Sequence, residues 1–511
     1  MRHPLTSALY DVSKRAASMD RRSFLSGLVG TALGSLEPGC SPEILLDASL
    51  TIDNDDAGRL IPPDFIGLSY ESSILASGDY FTPGNASVLG LIRSLGDNGI
   101  IRIGGNTSER TVWLPESKPD PDDFVITPAS IDRLAGALSS LGWRLIYGLN
   151  LARGTPQAAA DEAAYVAQAL GPQLLAFQIG NEPDGFGRWN KVRSQGYDAD
   201  AFLADWRQFH AAIRGRIPTA RFAGPDIVFD PKWVGRLAAM KPDGLILLTQ
   251  HYYADGPAGA WHVSLPKLLG SNPQAVSVLE KLAEYSRTYR LPFRLVEVNS
   301  INNEGQPGVS DTLGAALWGL ELMFQVAAAG GAGVNFHAGV DNHHPDDDKA
   351  YTPIARTSVG RYRAMPLYYG MLTFASVARG ALVRAHLEPS HAELSTFAVR
   401  AGDGSLRICL INKDADRRAR VKVNPNKNVA NATILRLAGP RLDSTTDVTL
   451  GGATVDENGS WNPGLDEARD IDGSEVVFEV AASSAAVITL SFQREEARPT
   501  SGLKSEFRDV Q

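Results

Sequence analysis

The sequence predicts an α/β chain: a (β/α)8 TIM barrel with an appended antiparallel β-sandwich. Two patterns and one missing motif carry that expectation. From Phe65 to about Phe374, short β-branched runs alternate with longer helix-period segments, the order that produces a parallel sheet covered by helices. After Ala375 the pattern switches to period-two alternation with turn residues between runs, as in Leu406, Ile408 and Leu410 after the Asp403-Gly404 hairpin signal. No Gly-x-Gly-x-x-Gly follows the first strand-like run, so nothing argues for an open sheet built around a dinucleotide.

In chain order, residues 1–43 read as an address rather than as structure. Asp20-Arg21-Arg22-Ser23-Phe24-Leu25-Ser26, followed by the apolar Gly27 to Leu36, resembles a twin-arginine export signal, with Met19 as a candidate start. The plainer alternative is an amphipathic leader with two chance arginines. The apolar core is too short to span a bilayer, and no later stretch approaches the roughly 20 residues needed, so the expectation is an exported protein, periplasmic or extracellular, without a membrane span. Cys40 is a weak lipid-attachment candidate, because Glu37 and Pro38 before it are poor residues for such a site.

Residues 44–62 contain a strand-like run, Ser49–Asp53, with no helix of its own, which is free to pair into the sandwich. The barrel is expected over 63–375. Its strand-like runs are Phe65–Ser69, Ile100–Gly104, Arg144–Leu149, Leu174–Ile179, Arg221–Gly224, Leu245–His251, Phe293–Val298 and Gly333–His337. Helix-period segments between them include Val88–Gly96, Asp161–Leu170, Ala201–Ile213, Gln274–Tyr289 and Asp311–Ala329. Val421 and Val423, Ile434 to Leu437, Val476 to Val480 and Val487 to Leu490 continue the alternation of a sandwich over 376–493. The charged, aperiodic 494–511 reads as a disordered tail.

Composition narrows the chemistry. With 43% hydrophobic and 21% charged residues, the 511-residue chain can bury a large core. A net charge of -9 gives no basic field for phosphates, which argues against nucleic acid and favours a neutral or mildly acidic substrate. The two cysteines, Cys40 and Cys409, cannot form a disulfide framework.

Two glutamates then stand out. Barrels of this kind carry their chemistry on the loops at the C-terminal ends of the strands. In "FQIGNEPDGF" Glu182 ends the fourth strand, and in "FRLVEVNS" the alternation Leu295, Glu297, Asn299 directs Glu297 to the mouth at the end of the seventh. A strand glutamate without a sequence-adjacent cation is costly to bury unless it is paired or used. The bland alternative is a salt bridge to a neighbouring strand's arginine, for instance Arg102. Two carboxylates across a sugar-sized gap make a glycosidase: one protonates the leaving oxygen, the other attacks the anomeric carbon. Asn181 can donate its amide to a sugar 2-hydroxyl. His251 and Tyr253 in "TQHYY" share a face of the sixth strand, beside the strand that carries Glu297.

"FQIGNEPDGF", "TQHYY", "FRLVEVNS" and "GQPGVSDTLGAALWGLELMFQVAAAGGAGVNFHAG" together resemble glycoside hydrolase family 79, the family of β-glucuronidases and heparanase. The resemblance covers most of the barrel and the order of the two domains. It implies a retaining β-glucuronidase with Glu182 as acid/base and Glu297 as nucleophile, no metal or cofactor, and a β-sandwich built from both chain ends. It gives Tyr253 the task of keeping Glu297 ionised, and it matches Glu71 in "LSYES" and Asn106 in "RIGGN" to positions that bind substrate hydroxyls. Gly104 and Gly105 supply the turn chemistry there. The loop "INNEGQPGVSD" departs from the family: the tyrosine that helps bind the uronate carboxylate is replaced by Asn302, leaving Asn302, Asn303 and Gly305, with Tyr351 nearby, as the candidate contacts. In "VDNHHPDDDKAYTP", His343, His344 and Asp346 to Asp348 could be drawn as a metal site, but adjacent histidines in a polar, Pro-containing loop read better as a solvated lid. The competing readings are a related barrel glycosidase acting on arabinose, xylose or glucose, and a carbohydrate-binding pseudoenzyme. The presence of both glutamates and Asn181 speaks against the second.

Overall fold

The computed structural model describes residues 45–493 apart from 54–55, 57, 115–119, 121, 189–191, 339–348, 359, 465–466 and 470–474. The export signal, Cys40, the His343, His344 and Asp346 to Asp348 cluster and the C-terminal tail lie outside the described residues.

Eight parallel strands close into a barrel: β1 (Ile66–Glu71), β2 (Ile100–Gly104), β3 (Arg144–Leu149), β4 (Leu174–Ile179), β5 (Phe222–Ile227), β6 (Leu245–Asp255), β7 (Phe293–Ile301) and β8 (Val334–Ala338). Closure is made by β8 against β1, with Asn335 beside Gly67 and Phe336 beside Leu68. These strands read as near-continuous apolar runs because helices cover the outside while side chains fill the inside. β6 and β7 extend past the ends expected from sequence, at Asp255 and Ile301. A register shift between Gln250 and His251 sets His251 beside Glu297 and Tyr253 beside Asn299. That irregularity aims two polar side chains of β6 at the mouth.

The covering helices start on strong local signals. Thr127, Thr155 and Thr312 each accept a backbone N–H from the first turn, and Pro128 and Pro156 follow the first two caps. Leu313–Ala329 has 13 of its 17 residues buried and is apolar apart from Glu321 and Gln325. The reason is its place: its start is tied to the second domain by Leu313 N–H to Ser444 O (2.9 Å) and Gly314 N–H to Leu442 O (2.8 Å), while Lys413 Nζ reaches Glu321 Oε2 at 2.7 Å. A helix covered by a barrel on one side and a sheet on the other keeps little solvent face to make polar, here Gln325 and Ala328. The helix Pro366–Val377, buried along almost its whole length, was not expected from the sequence.

The second domain stacks a four-stranded sheet on a larger antiparallel one. The N-terminal strand, Leu45–Ile52, lies inside the smaller sheet, parallel to Arg418–Asn424 and antiparallel to Ala385–Glu388. Its alternating burial places Leu46, Ala48, Leu50 and Ile52 in the same core as Val421, Val423 and Phe478. No described helix is long and apolar enough to cross a membrane.

Candidate active site

Glu182 occupies a left-handed backbone position, φ 46° and ψ 49°, immediately before Pro183. A non-glycine residue rarely adopts this conformation, and here it is held by the Glu182 N–H to Asp226 O bond at 2.8 Å. Its Oε1 lies 2.9 Å from His251 Nδ1. Burial raises the carboxyl's pKa and Glu297 adds to the rise, while His251 opposes it.

Glu297 has the opposite environment. Arg102 Nη1 donates to its Oε2 at 2.6 Å and the Tyr253 hydroxyl to its Oε1 at 2.9 Å. Burial alone would raise its pKa, but the positive surroundings of His337, His251 and Arg102, with the Tyr253 bond, outweigh it and hold the carboxyl well below the usual range. Oxygen and nitrogen atoms of Glu182, Glu297 and His251 lie within 4.8 Å of one another. Retaining glycosidases place their carboxyls about 5–5.5 Å apart and inverting ones roughly 6.5–9.5 Å. The same trio could be taken for a cation site, but both nitrogens of His251 face carboxylates, Nδ1 to Glu182 and Nε2 to Asp226 at 2.8 Å. Although burial works against it, the charges of Asp226 and Glu297, with the hydrogen bonds to Asp226 and Glu182, raise its pKa to about 10, so the ring is a two-sided donor rather than a lone-pair ligand.

Beneath this layer lies a charge network that the sequence reading did not assemble. Arg102, fully buried, also donates through Nη2 to Asn181 Oδ1 (2.7 Å) and Asp226 Oδ2 (2.5 Å), and through Nε to Gln178 (3.1 Å). The arginine named as the bland partner is therefore present. It spreads over β4, β5 and β7 instead of neutralising one glutamate. Asp226, at φ 65°, supports Glu182 twice, through its carbonyl and through His251.

The other expected residues separate into two groups. Asn181, Asn106, Glu71 and Tyr351 join the site. Asn181 Nδ2 donates to Asn106 Oδ1 at 3.2 Å, so part of the amide expected to meet the sugar is already engaged. Glu71 Oε2 accepts from Thr107 N and Oγ1 at 2.8 and 2.7 Å. Gly105 must be glycine: its φ is 71°, and a Cβ there would lie 2.4 Å from Glu71 Oε2. His337 links the two ends, with Nε2 3.5 Å from Glu71 Oε1 and Nδ1 3.8 Å from Glu297 Oε2. Tyr351 is buried, its ring 6.2 Å from that of Tyr253 and 6.0 Å from His337.

Asn302, Asn303 and Gly305 lie in the loop that follows β7. Among the described residues neither asparagine hydrogen-bonds to either glutamate. Asn302 N–H donates to Asp255 O at 3.1 Å, and its side chain lies where a Cβ on Gly256 would be 2.2 Å from Oδ1. Asn303, Glu304 and Gly305 are all left-handed. Glu304 O accepts from Ala350 N at 2.8 Å, and a Cβ on Gly305 would lie 2.7 Å from Tyr351 N. The loop thus clamps the segment Lys349–Tyr351 against the mouth. Lys349, missed within a polar run, is mostly buried with Nζ 3.9 Å from Glu71 Oε1. Burial would lower its pKa, but Tyr351, Glu71 and Glu297 raise it, so it remains a cation.

An eight-stranded barrel that brings two carboxylates of opposite pKa tendency to within a sugar's reach, over a positively charged base, defines a glycoside hydrolase. Residues 396–487 match the sequence model of the glycosyl hydrolase family 79 C-terminal beta domain. Two curated relatives are each 24% identical. The beta-glucuronidase of Neurospora crassa aligns over 390 residues, 67% of this chain and 68% of that protein, and the beta-glucuronidase of Aspergillus niger over 404 residues, 70% and 73%. Among solved structures, a 4-O-alpha-L-rhamnosyl-beta-D-glucuronidase from Fusarium oxysporum superposes with a TM-score of 0.72 at 18% identity, covering 87% of this chain and 100% of the other. The chain thus resembles glycoside hydrolase family 79, through its C-terminal beta domain and through its beta-glucuronidase relatives.

Proposed function

We propose that this protein is a retaining β-glucuronidase, with Glu297 as nucleophile and Glu182 as acid/base. The observation that carries the mechanism is the placing of both carboxylates and His251 within 4.8 Å. Glu297, kept ionised by Arg102 and Tyr253, attacks the anomeric carbon. Glu182, whose pKa is raised, gives its proton to the departing oxygen and then takes one from the water that releases the sugar. Glu71, Asn106 and Asn181 lie where they can meet the ring hydroxyls.

The glucuronide assignment draws on the relatives and on Lys349. A uronate differs from its hexose by a C6 carboxylate, and a buried ammonium beside Tyr351 is a suitable partner for it. A pocket built for that charge leaves its donors unpaired when the charge is absent. The expected result is that p-nitrophenyl β-D-glucuronide is cleaved with kcat/KM at least about 100-fold above the β-D-glucoside. Preference for the glucoside or xyloside would sink the glucuronide assignment and leave the two glutamates standing. The leader supports export by the twin-arginine route, for which changing both Arg21 and Arg22 to Lys should retain the enzyme in the cytoplasm.

A further inference from the structure

Glu182 is held in a conformation that its own sequence works against. Its backbone is left-handed, at φ 46°, while Pro183 after it biases the preceding residue toward extended backbone. A residue in so sparsely populated a region stays there only where its surroundings over-determine it. Asp226, at the end of β5, is left-handed as well, at φ 65°. Two strained residues thus meet where β4 and β5 end.

The chain after β4 and the chain after β5 exchange hydrogen bonds in both directions. Glu182 N–H donates to Asp226 O at 2.8 Å. Two residues on, Asp184 returns the tie: its Oδ1 accepts from Val228 N–H at 3.3 Å and its Oδ2 from Phe229 N–H at 2.7 Å. Asp184 is buried, and its carboxylate is met mainly by backbone amides. Burial raises its pKa, while the N–H groups of Phe229, Val228 and Asp230 and the His251 cation oppose the rise. Further along, Phe186 is fully buried and stacks on Tyr197 with centroids 5.8 Å apart, which fixes the far end of the turn.

We infer that Asp184 is a positioning residue for the acid/base: its carboxylate clasps the Val228 and Phe229 amides and so keeps Glu182 in the left-handed conformation that brings its carboxyl beside Glu297. The inference rests on the acid/base role proposed for Glu182. Without the clasp, two N–H groups lose an acceptor, the Glu182 to Asp226 bond is left to hold the turn, and Pro183 draws Glu182 toward extended backbone. That displacement takes the acid away from the departing oxygen. It leaves Glu297, anchored by Arg102 and Tyr253, where it was. Asp184 also acts by charge: after burial and Glu297, it is a further cause of the raised pKa of Glu182, which His251 opposes.

The test compares the phenyl and dinitrophenyl glycosides of whichever sugar the wild-type enzyme cleaves fastest, because the poorer leaving group needs the proton and the better one does not. In Asp184→Ala, kcat/KM should fall at least about 30-fold for the phenyl glycoside and less than about threefold for the dinitrophenyl one. Asp184→Asn, which keeps one acceptor oxygen and no charge, should recover most of that ratio. Its alkaline limb on the phenyl glycoside should still lie at lower pH than in wild type, since an anion that favours the protonated acid is gone, and the acid limb, set by Glu297, should stay. The other groups facing Glu182 are unchanged in this variant: His251, Glu297, and Asp226 and Arg102 behind the imidazole. Should Asp184→Ala fail to fold, the limb shift in Asp184→Asn decides alone. Equal losses for the two leaving groups overturn the inference, as does an alkaline limb at the wild-type position in Asp184→Asn. Glu182→Ala, assayed alongside, separates this result from the reading beneath it. It should show the same leaving-group selectivity more strongly, with rescue by azide; equal losses without rescue there would remove the acid/base role and the inference with it.

Discussion

Arg102 and Arg294 are both sealed inside the barrel, one at the mouth and one at the floor, and their partners differ in kind. Arg294 is satisfied by neutral oxygens: Asn335 Oδ1 at 2.5 Å and the backbone carbonyls of Asp64, Ala332 and Phe65 at 2.9 to 3.0 Å. Burial lowers its pKa to about 10, because carbonyl dipoles replace water only in part. Arg102 meets carboxylates, Asp226 and Glu297, which raise its pKa despite equal burial. The floor therefore spends its arginine on closing strand ends. At the mouth the arginine keeps an anion ionised in a place where burial would protonate it.

The largest effect should come from the anion itself. Glu297→Gln preserves shape and removes the covalent step, so turnover should fall by about four orders of magnitude or more while sugar binding stays measurable. A 2-fluoro glycoside should label Glu297 in the wild type, and labelling of another residue would remove the assignment. Arg102→Met comes next. It takes the guanidinium from Asp226 and Glu297 and leaves His251 as the cation facing both, so it should cost roughly 3–5 kcal/mol in urea unfolding and, in the fraction that folds, at least about 100-fold in kcat/KM. Activity near wild type would show that the mouth arginine is as passive as the floor one.

A smaller effect, and a more diagnostic one, concerns proton affinity. Glu182 must be protonated and Glu297 ionised, so activity is lost as pH rises through the raised pKa of the first and as pH falls through the lowered pKa of the second. The pair titrates jointly, and the two limbs belong to it as a unit. The His251 cation lowers both, and it is faced by Asp226, Glu182, Glu297 and Arg102. His251→Gln removes that cation and leaves Asp226 anionic, so both limbs of the kcat/KM profile should move to higher pH. A profile that only loses height would mean that His251 positions Glu182 without setting its charge.

What was legible in the sequence follows the same divide. The eight strands could be read in order because parallel barrel strands are apolar on both faces, and Glu182, Glu297, His251 and Tyr253 because a polar residue interrupts such a run at a fixed phase. The network joining them was not, since Arg102 on β2, Asp226 on β5 and His337 on β8 meet only through barrel closure, and nothing local marks a hydrogen bond between residues 195 apart in sequence, as in Arg102 to Glu297. His337 did leave a trace, in the alternation of Asn335 and His337 along β8. Lys349 was concealed by its acidic neighbours, which made a buried cation look like part of a solvated run. The helix 313–329 could be read by its length although Glu321 and Gln325 are its only charged or amide side chains, whereas Pro366–Val377, similarly apolar and shorter, offered neither cue.

The smallest expected effect on catalysis belongs to the floor. Arg294→Met removes the guanidinium donors to Asn335 Oδ1 and the three carbonyls, of which Phe65 O keeps the Val334 N–H, and strands β7, β8 and β1 lose a common tie. Each buried acceptor left without a partner costs about 1–3 kcal/mol, so the loss in unfolding free energy should be several kcal/mol and comparable to that of Arg102→Met. The catalytic consequence should differ. No partner of Arg294 touches Glu182 or Glu297, and backbone carbonyls carry no charge whose loss could reach the mouth. Per folded molecule, kcat/KM and the positions of both pH limbs should stay within about threefold and unshifted, respectively. A displaced limb in Arg294→Met would mean that the electrostatics of the mouth are set by the whole barrel axis, and the contrast between the two arginines would then be one of degree.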